Sequence, residues 1–459
     1  MTTTSLTTAF VAAAMRNRGY AVSEGLPAII TGGAADSRLV KANDLFAAFP
    51  GEHADGNEFV PAAVAAGAVA VVCSRRPQGD WPGVTTIVAP DTTRAISELA
   101  HLWRTECGPR VVGITGTVGK TTAKDFTAAV LSQRFSTHAS PGNLNSREGL
   151  PLALMSLRRD HEVSVLEIAM DSKGEIAELA AVAEPEIGVV LNVGLTHVSK
   201  LGSIEAIAEE KLSLVRGLPV TGTAILNADD PRVAVAAKEL ACEVITFGAA
   251  EAATLRRGPV LERALDGTSF DVSFDETTER VNAPLPGAHT ASAVLAAIAA
   301  GLALGMSLRG AASAASLAEA TGRARIVKTA LGVTIIDDRY NSSPASLAGA
   351  LEMLAGLPGR RIALVGRMAE LAGFEEQEHR AAGTIAARSC DTLVCSGETC
   401  RAMAAAARDA GHSDVRWFAT KEEAAAEVAA LLQPGDYALV KASRGEAFET
   451  ILPVLEEAK

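Results

Sequence analysis

Short apolar runs alternate with stretches of helical spacing along most of the chain. VVGIT (111–115) leads into a glycine turn and a helix starting near Lys120. VSVLEIAM (163–170) and IGVVLNVG (187–194) are each followed by a helical pattern, and TAILNA (223–228) and EVITFG (243–248) continue the alternation. Near-continuous apolar strands alternating with helices predict a parallel sheet covered on both faces. The more polar segment 251–286 reads as a small antiparallel excursion, and the Ala-rich stretch 289–318 as one helix. VTIIDD (333–338), RIALVG (361–366), TLVCSG (392–397) and YALVKAS (437–443) repeat the alternation as a second doubly wound pattern. Ahead of both, DGNEFVPAAVAAGAVAVVCS (55–74) runs from an Ala-rich helical stretch into a strand, the mark of small αβ units, and GPR at 108–110 breaks the pattern.

Length turns these patterns into a domain count. At 459 residues the chain exceeds one core, and about 150 residues per domain gives three. The expected architecture is α/β with three domains, 1–108, 109–318 and 319–459, the second a P-loop ATPase-like parallel sheet and the third Rossmann-like. Only 4% of residues are aromatic and the net charge is −12, which leaves little for base stacking or polyanion binding, so nucleic acid is excluded as the main partner. Cys73, Cys107, Cys242, Cys390, Cys395 and Cys400 form no C-x-x-C pair and give neither a zinc framework nor a disulfide pattern. The start MTTTSLTTAF has no basic n-region, and no apolar run reaches the roughly 18 residues of a membrane span. A cytoplasmic protein with reduced thiols and no membrane partner is expected.

The strongest chemical signal is GITGTVGKTT (113–122), between a strand and a helix. Gly116 and Gly119 let backbone N–H groups approach phosphate, and the helix N-terminus favours negative charge. Lys120 suits the β- and γ-phosphates, and the Thr121 hydroxyl suits magnesium. Thr117 and Thr122 complete the loop. A glycine turn that binds nothing is the competing reading, and ATP or GTP binding is the better one. Glu167, ending an apolar strand, stands at the carboxyl edge of the sheet, where ligands bind.

The loop resembles the T-G-T-N-G-K-T-T signature of the Mur ligases, with Val118 in place of Asn, and further motifs follow in that family's order. PGNLNSREGLPLAL (141–154) resembles the segment that contacts the peptide substrate, with Asn143 and Asn145 at its asparagines; by chemistry alone an Asn-rich loop is equally a turn. LEIAMDSKGEI (166–176) and LNVGLTHVSKLGSIEAIAEEK (191–211) place Glu167 and His197 where the resemblance implies magnesium ligands. Lys211 matches a lysine carbamylated in many Mur ligases, although by its own residues the better reading is an ordinary surface helix lysine, and only the matching context makes the two even. PGAHTASAVLAA (286–297) is similar to the adenine-contacting element H-N-x-x-N, with His289 kept and Thr290 and Ala293 as departures. Arg323 and IIDDRYNSSP (335–344) imply ATP contacts through Arg323 and Asp338, with Tyr340 and Asn341 lining a closed cleft; Ser342 and Ser343 depart from the pattern. LVGRMAELAG carries Arg367 where the family has an acid, and LVKASRGEAFE retains Lys441, Ser443 and Arg444 for the substrate. Asp36-Ser37-Arg38 matches the element that holds the uridine nucleotide, through Ser37 and Arg38.

The resemblance therefore covers nearly the whole chain. It implies an ATP-dependent ligase that forms an amide through an acyl phosphate, with Lys120, His197 and Lys211 serving catalysis and two magnesium ions held by Thr121, Glu167, His197 and carbamylated Lys211. It assigns the uridine nucleotide to the first domain, ATP to the second, and the amine and closure over ATP to the third. A segment D-N-P-R, associated with recognition of a diamino acid, is missing, which points to the branch that adds D-alanyl-D-alanine to UDP-N-acetylmuramoyl-tripeptide. The substrates are small molecules and a monomer is expected. A divergent paralogue joining another carboxylate and amine, and a non-catalytic nucleotide switch, are the competing readings; amine-dependent ADP release separates ligase from switch.

Overall fold

The computed structural model describes all residues except 1–3, 52, 53, 78, 80, 263, 319–324 and 459. Among the described residues three sheets form, of five, ten and six strands. In the first, Gly32–Ala34, Asp44–Ala47, Ala70–Cys73 and Thr85–Val88 run parallel in that order, and Ala21–Ser23 closes one edge antiparallel. The helix Thr92–Cys107 then leads out; Asp91 caps its start by accepting from Arg94 N, and Gly108 ends it at φ +66°, a left-handed stop that favours glycine.

In the second sheet Arg110–Thr115 lies between Val163–Glu167 and Ile187–Val190, all parallel, so Thr115, Glu167 and Val190 end side by side. Thr223–Asn227 and Glu243–Gly248 extend it. The polar segment makes the antiparallel hairpin Thr268–Phe274 and Thr277–Ala283 at the far edge, as its composition suggests. The strands are buried on both faces, the reason they read as unbroken apolar runs.

The Ala-rich stretch is two helices, Ala291–Ala303 and Leu308–Leu317, rather than the single helix expected. Gly305 at φ +78° turns the chain between them, and the Ser307 hydroxyl accepts from Gly310 N at 3.1 Å to start the second. The apolar helical spacing runs on through both helices, so it does not by itself show which of the glycines stops the first. Ala291–Ala303 is apolar all round and is buried against the phosphate-side helix Lys120–Ser132.

The third sheet orders Arg325–Lys328, Thr334–Asp337, Tyr437–Lys441, Arg361–Val365, Thr392–Ser396 and Val415–Phe418, parallel but for the first. The first two sheets are not independent. One apolar cluster runs from Leu45 and Val72 through Trp103 to Leu150 and Leu166, and Trp103 Nε1 donates to Leu157 O at 2.9 Å. That shared core fixes the first sheet against the segment that carries Asn143 and Asn145. No helix among the described residues is long and apolar enough to cross a membrane.

Candidate active site

The strand Arg110–Thr115 delivers the phosphate loop to the carboxyl edge of the central sheet. A Cβ on Gly116 would sit 2.9 Å from Leu191 Cβ, and Gly119 adopts φ +84° at the start of the helix, so both positions require glycine. Lys120 Nζ curls back over the loop to Gly116 O at 2.9 Å and Thr117 O at 3.3 Å. Asn192 was not singled out from the sequence, yet it braces the loop. Its Oδ1 accepts from Thr117 N at 3.0 Å and Val118 N at 2.9 Å, and its Nδ2 donates to Val118 O at 3.0 Å. Because these bonds reach Val118 through its backbone, Val118 departs from the signature without loosening the loop.

Behind the loop, Glu167 is 1% exposed and fully used. Its Oε2 accepts from Thr121 Oγ1 at 2.8 Å, its Oε1 from Asn145 Nδ2 at 2.7 Å, and its backbone N donates to Ser140 Oγ at 3.2 Å. A hydroxyl and a carboxylate side by side at a phosphate loop are hard oxygen donors. Magnesium takes one or two protein oxygens of that kind and leaves its other positions to water and phosphate, so this pair fits the ion. Among the described residues no group of three or more His, Cys, Asp or Glu gathers for a metal.

Lys211 lies on the helix Ile204–Arg216, which Ser203 caps, and is 1% exposed. Burial first, and the Lys120 cation second, push its ammonium well below the usual lysine range, against a smaller pull from Glu210. The reading as a solvated lysine is therefore wrong. Helical periodicity places it on the inner face, and only the packed structure shows that face to be closed. Glu210 accepts from Gly174 N at 2.7 Å and Ile176 N at 2.9 Å.

His197 takes φ +52° and points its Nδ1 at Glu370 Oε2, 2.8 Å away on the third domain's side, with Asp171 Oδ1 at 3.4 Å. It is thus turned toward acids and forms a bridge between the central and third sheets. Neither Glu370 nor Asp171 was singled out from the sequence.

A cleft of about 300 Å³ opens beside the loop. Thr117, Val118, Gly119 and Thr122 line it, as do His289, Thr290 and Ala293, and so do Lys441 of the third sheet and Asp338 and Asn341 of the loop after the strand Thr334–Asp337. Lys441, buried, donates to Asp338 Oδ2 at 2.5 Å and Asn341 O at 2.9 Å. His289 is seated against Gly349 of the helix Pro344–Ala355, where a Cβ would lie 2.7 Å from its Cγ.

Other expected residues lie outside this cleft. Ser443 is buried, donating to Ser342 O at 3.1 Å and accepting from Ala369 N at 2.8 Å, so it braces two loops. The Arg444 guanidinium lies 5.8 Å from the ring of the exposed Tyr340. Arg367 pairs with Glu375. Asn143 is exposed. Arg38 is exposed and pairs with Asp36, whose carboxyl it holds down at about 2, and Ser37 lies between them. Their turn follows Gly32–Ala34, and Gly33 packs so closely on Leu152 that a Cβ would sit 2.9 Å from its Cδ2. Arg323 falls outside the described residues.

The family models described as Mur ligase family, catalytic domain; Mur ligase middle domain; and Mur ligase, glutamate ligase domain match residues 29–102, 114–301 and 322–444. The chain is 34% identical over 435 residues to the UDP-N-acetylmuramoyl-tripeptide–D-alanyl-D-alanine ligase of Bacillus subtilis, covering 94% of each. It is 32% identical to the enzyme of that name from Escherichia coli, covering 92% of this chain and 93% of the other. Among solved structures, MurF from Acinetobacter baumannii superposes with a TM-score of 0.85 at 27% identity over 100% of both chains. MurF ligase from Thermotoga maritima, in complex with ADP, superposes at 0.78 and 26% identity, covering 93% of this chain and 97% of that one. With family models spanning most of its length and relatives above 30% identity along nearly all of it, the chain belongs to the Mur ligase family.

Proposed function

We propose that this chain is an ATP-dependent ligase that joins D-alanyl-D-alanine to UDP-N-acetylmuramoyl-tripeptide in peptidoglycan precursor synthesis, the reaction named for its relatives. The observation that carries it is the cleft between the phosphate loop and Asp338–Lys441: a phosphate cradle on one sheet, capped by side chains of another. The ADP bound by the Thermotoga relative supports ATP as its occupant.

The tripeptide carboxylate attacks the γ-phosphorus of ATP, the bond to ADP breaks, and an acyl phosphate forms. The amine then attacks the carbonyl carbon, phosphate leaves, and the nitrogen loses a proton. Negative charge builds in both steps, so positioned cations and amides supply most of the catalysis. Lys120, held by two loop carbonyls, presents its ammonium to the transferring phosphoryl. Amides of the loop and of the helix start bind the phosphates. Thr121 and Glu167 would hold magnesium, which neutralises phosphate charge when bound. His197 would approach this set on leaving Glu370. His289 with Asp338, and Arg323, serve adenine and ribose, and closure of the third sheet excludes water from the acyl phosphate.

Lys211 is the residue for the carbamate. Its neutral amine adds to CO₂, releasing one proton, and gives an acid group for a second ion; burial supports the neutral amine this needs. Residues 1–108 with Ser37 and Arg38 take the uridine nucleotide, 109–318 ATP, and 319–459 the amine through Tyr340, Asn341, Lys441 and Arg444. Asn143 meets the peptide. The enzyme acts in the cytoplasm as a monomer. The test is incubation with ATP, muramoyl tripeptide and a panel of amines, read as ADP release and product mass. ADP release that ignores the amine refutes ligation, and a product with another amine only makes the chain a divergent paralogue.

A further inference from the structure

The reaction leaves one buried cation unused. Lys124 stands one helical turn after the phosphate lysine, 3% exposed, on the helix Lys120–Ser132. Its Nζ donates to Ser140 O at 2.8 Å and Gly142 O at 3.2 Å, and pairs with Asp125 Oδ1 at 2.9 Å. A buried ammonium is retained only where its donors are satisfied, and here two of its three partners are carbonyls of one loop.

That loop, 140–145, approaches Glu167 from two sides. Ser140 Oγ accepts from Glu167 N, and Asn145 Nδ2 donates to Glu167 Oε1. The other carboxylate oxygen is held by Thr121, on the same helix as Lys124. A closed circuit results: helix to Lys124, to Ser140 and Gly142, to Asn145, to Glu167, to Thr121, and back to the helix. Each contact is at hydrogen-bond distance, and the circuit is anchored at the phosphate loop.

We infer that Lys124 is a positioning residue: it registers the 140–145 loop on the phosphate helix so that Asn145 aims the Glu167 carboxylate at the metal-bearing side of the nucleotide. Asn145 accordingly acts on Glu167 and not on the peptide. This rests on the magnesium–nucleotide reading of the site. Without Lys124, two carbonyls lose their buried donor, the loop shifts, and Glu167 keeps only Thr121 to orient it.

The experiment measures ADP affinity by calorimetry, with and without magnesium, for the full-length protein and for Lys124→Met, Asn145→Ala and the double variant. Lys124→Met keeps the length and removes the donors. The affinity without magnesium, set by the loop, should stay within about twofold in all four proteins. The magnesium concentration giving half the effect should rise about tenfold in each single variant, the equivalent of about 1.4 kcal/mol, and no further in the double variant, because both act through one carboxylate. Additive shifts overturn the inference, and an unshifted Asn145→Ala overturns it even where Lys124→Met fails to fold. A Lys124→Met that loses magnesium-free affinity as much as magnesium-dependent affinity is a structural lysine, which also overturns it. If ADP binding to the unaltered protein ignores magnesium, the magnesium–nucleotide reading itself is at fault.

Discussion

Replacing Lys211 by Met separates stability from activity. The side chain is 1% exposed, and burial and the Lys120 cation both disfavour its charge. Met has nearly its length and no charge to bury. Glu210 retains its two amide donors, Gly174 N and Ile176 N, so no acid is orphaned by the change. Substitutions that remove a buried charge in favour of apolar packing raise stability by about 1–4 kcal/mol when nothing is left unpaired. For a unit the size of residues 114–301, each kcal/mol is about 2–4 °C in Tm. Ligation should nevertheless be lost. The pH dependence sharpens the test. Below the usual lysine value of 10.5 the unfolded chain holds a proton that the folded Lys211 has given up. Unfolding therefore takes up a proton, and wild-type stability rises with pH between the depressed folded value and 10.5, by up to about 1.4 kcal/mol per pH unit. Met does not titrate, so its advantage should shrink as pH climbs. Unfolding in CO₂-purged buffer from about pH 7 to about pH 10 measures the gap. A gap that is flat with pH, or wild-type ligation by the Met variant, refutes the reasoning.

Lys120→Ala should abolish ligation and leave the fold intact, since it removes phosphate-directed charge and no core packing; activity within about threefold of wild type in an ADP-release assay would reject the loop assignment. Lys211→Arg should fail as Lys211→Ala does, with acetate restoring part of the Ala variant alone, as measured by product mass; a fully active Arg variant rejects the carbamate. Gly349→Ala gains about 1 kcal/mol of helix propensity, offset by overpacking against His289, and should weaken ATP binding about tenfold or more; an unchanged KM for ATP would show that His289 does not need that seat. Glu370→Gln frees His197 from its bridge to the third sheet; the contact is part-exposed and worth under about 1 kcal/mol, so the half-saturating magnesium concentration should fall by less than about fivefold, and a rise would mean that Glu370 supports the metal.

The elements that build the site were legible where one local rule governs them. The phosphate loop is the clearest case: glycine spacing, strand before and helix after are all local, and Gly116 and Gly119 occupy the positions where a Cβ is excluded or φ is positive. Glu167 follows from strand polarity alone. The two edge strands Arg325–Lys328 and Val415–Phe418 escaped because they are short and half-buried, so their side chains lack an unbroken apolar signature. The break at Gly305 escaped because Gly301, Gly305 and Gly310 all interrupt the same apolar stretch, and each alone is compatible with either one helix or two.

Residues whose role depends on a partner far along the chain were beyond local rules. Asn192 reaches the phosphate loop 74 and 75 positions away, and Lys124 reaches its loop 16 and 18 positions away. Nothing in N-V-G or in T-T-A-K states that reach. What a sequence does state is cost: a lysine on an apolar helix face, or an asparagine ending an apolar strand, must find partners when the fold closes. Lys124 and Lys211 obey that rule in opposite ways. Lys124 is given two carbonyls and an acid. Lys211 is pressed toward neutrality by burial and a neighbouring cation. A satisfied buried lysine holds structure in register, whereas a buried lysine driven toward neutrality has an amine free to react. The same residue type, about equally buried, thus separates into brace and reagent by what surrounds its nitrogen.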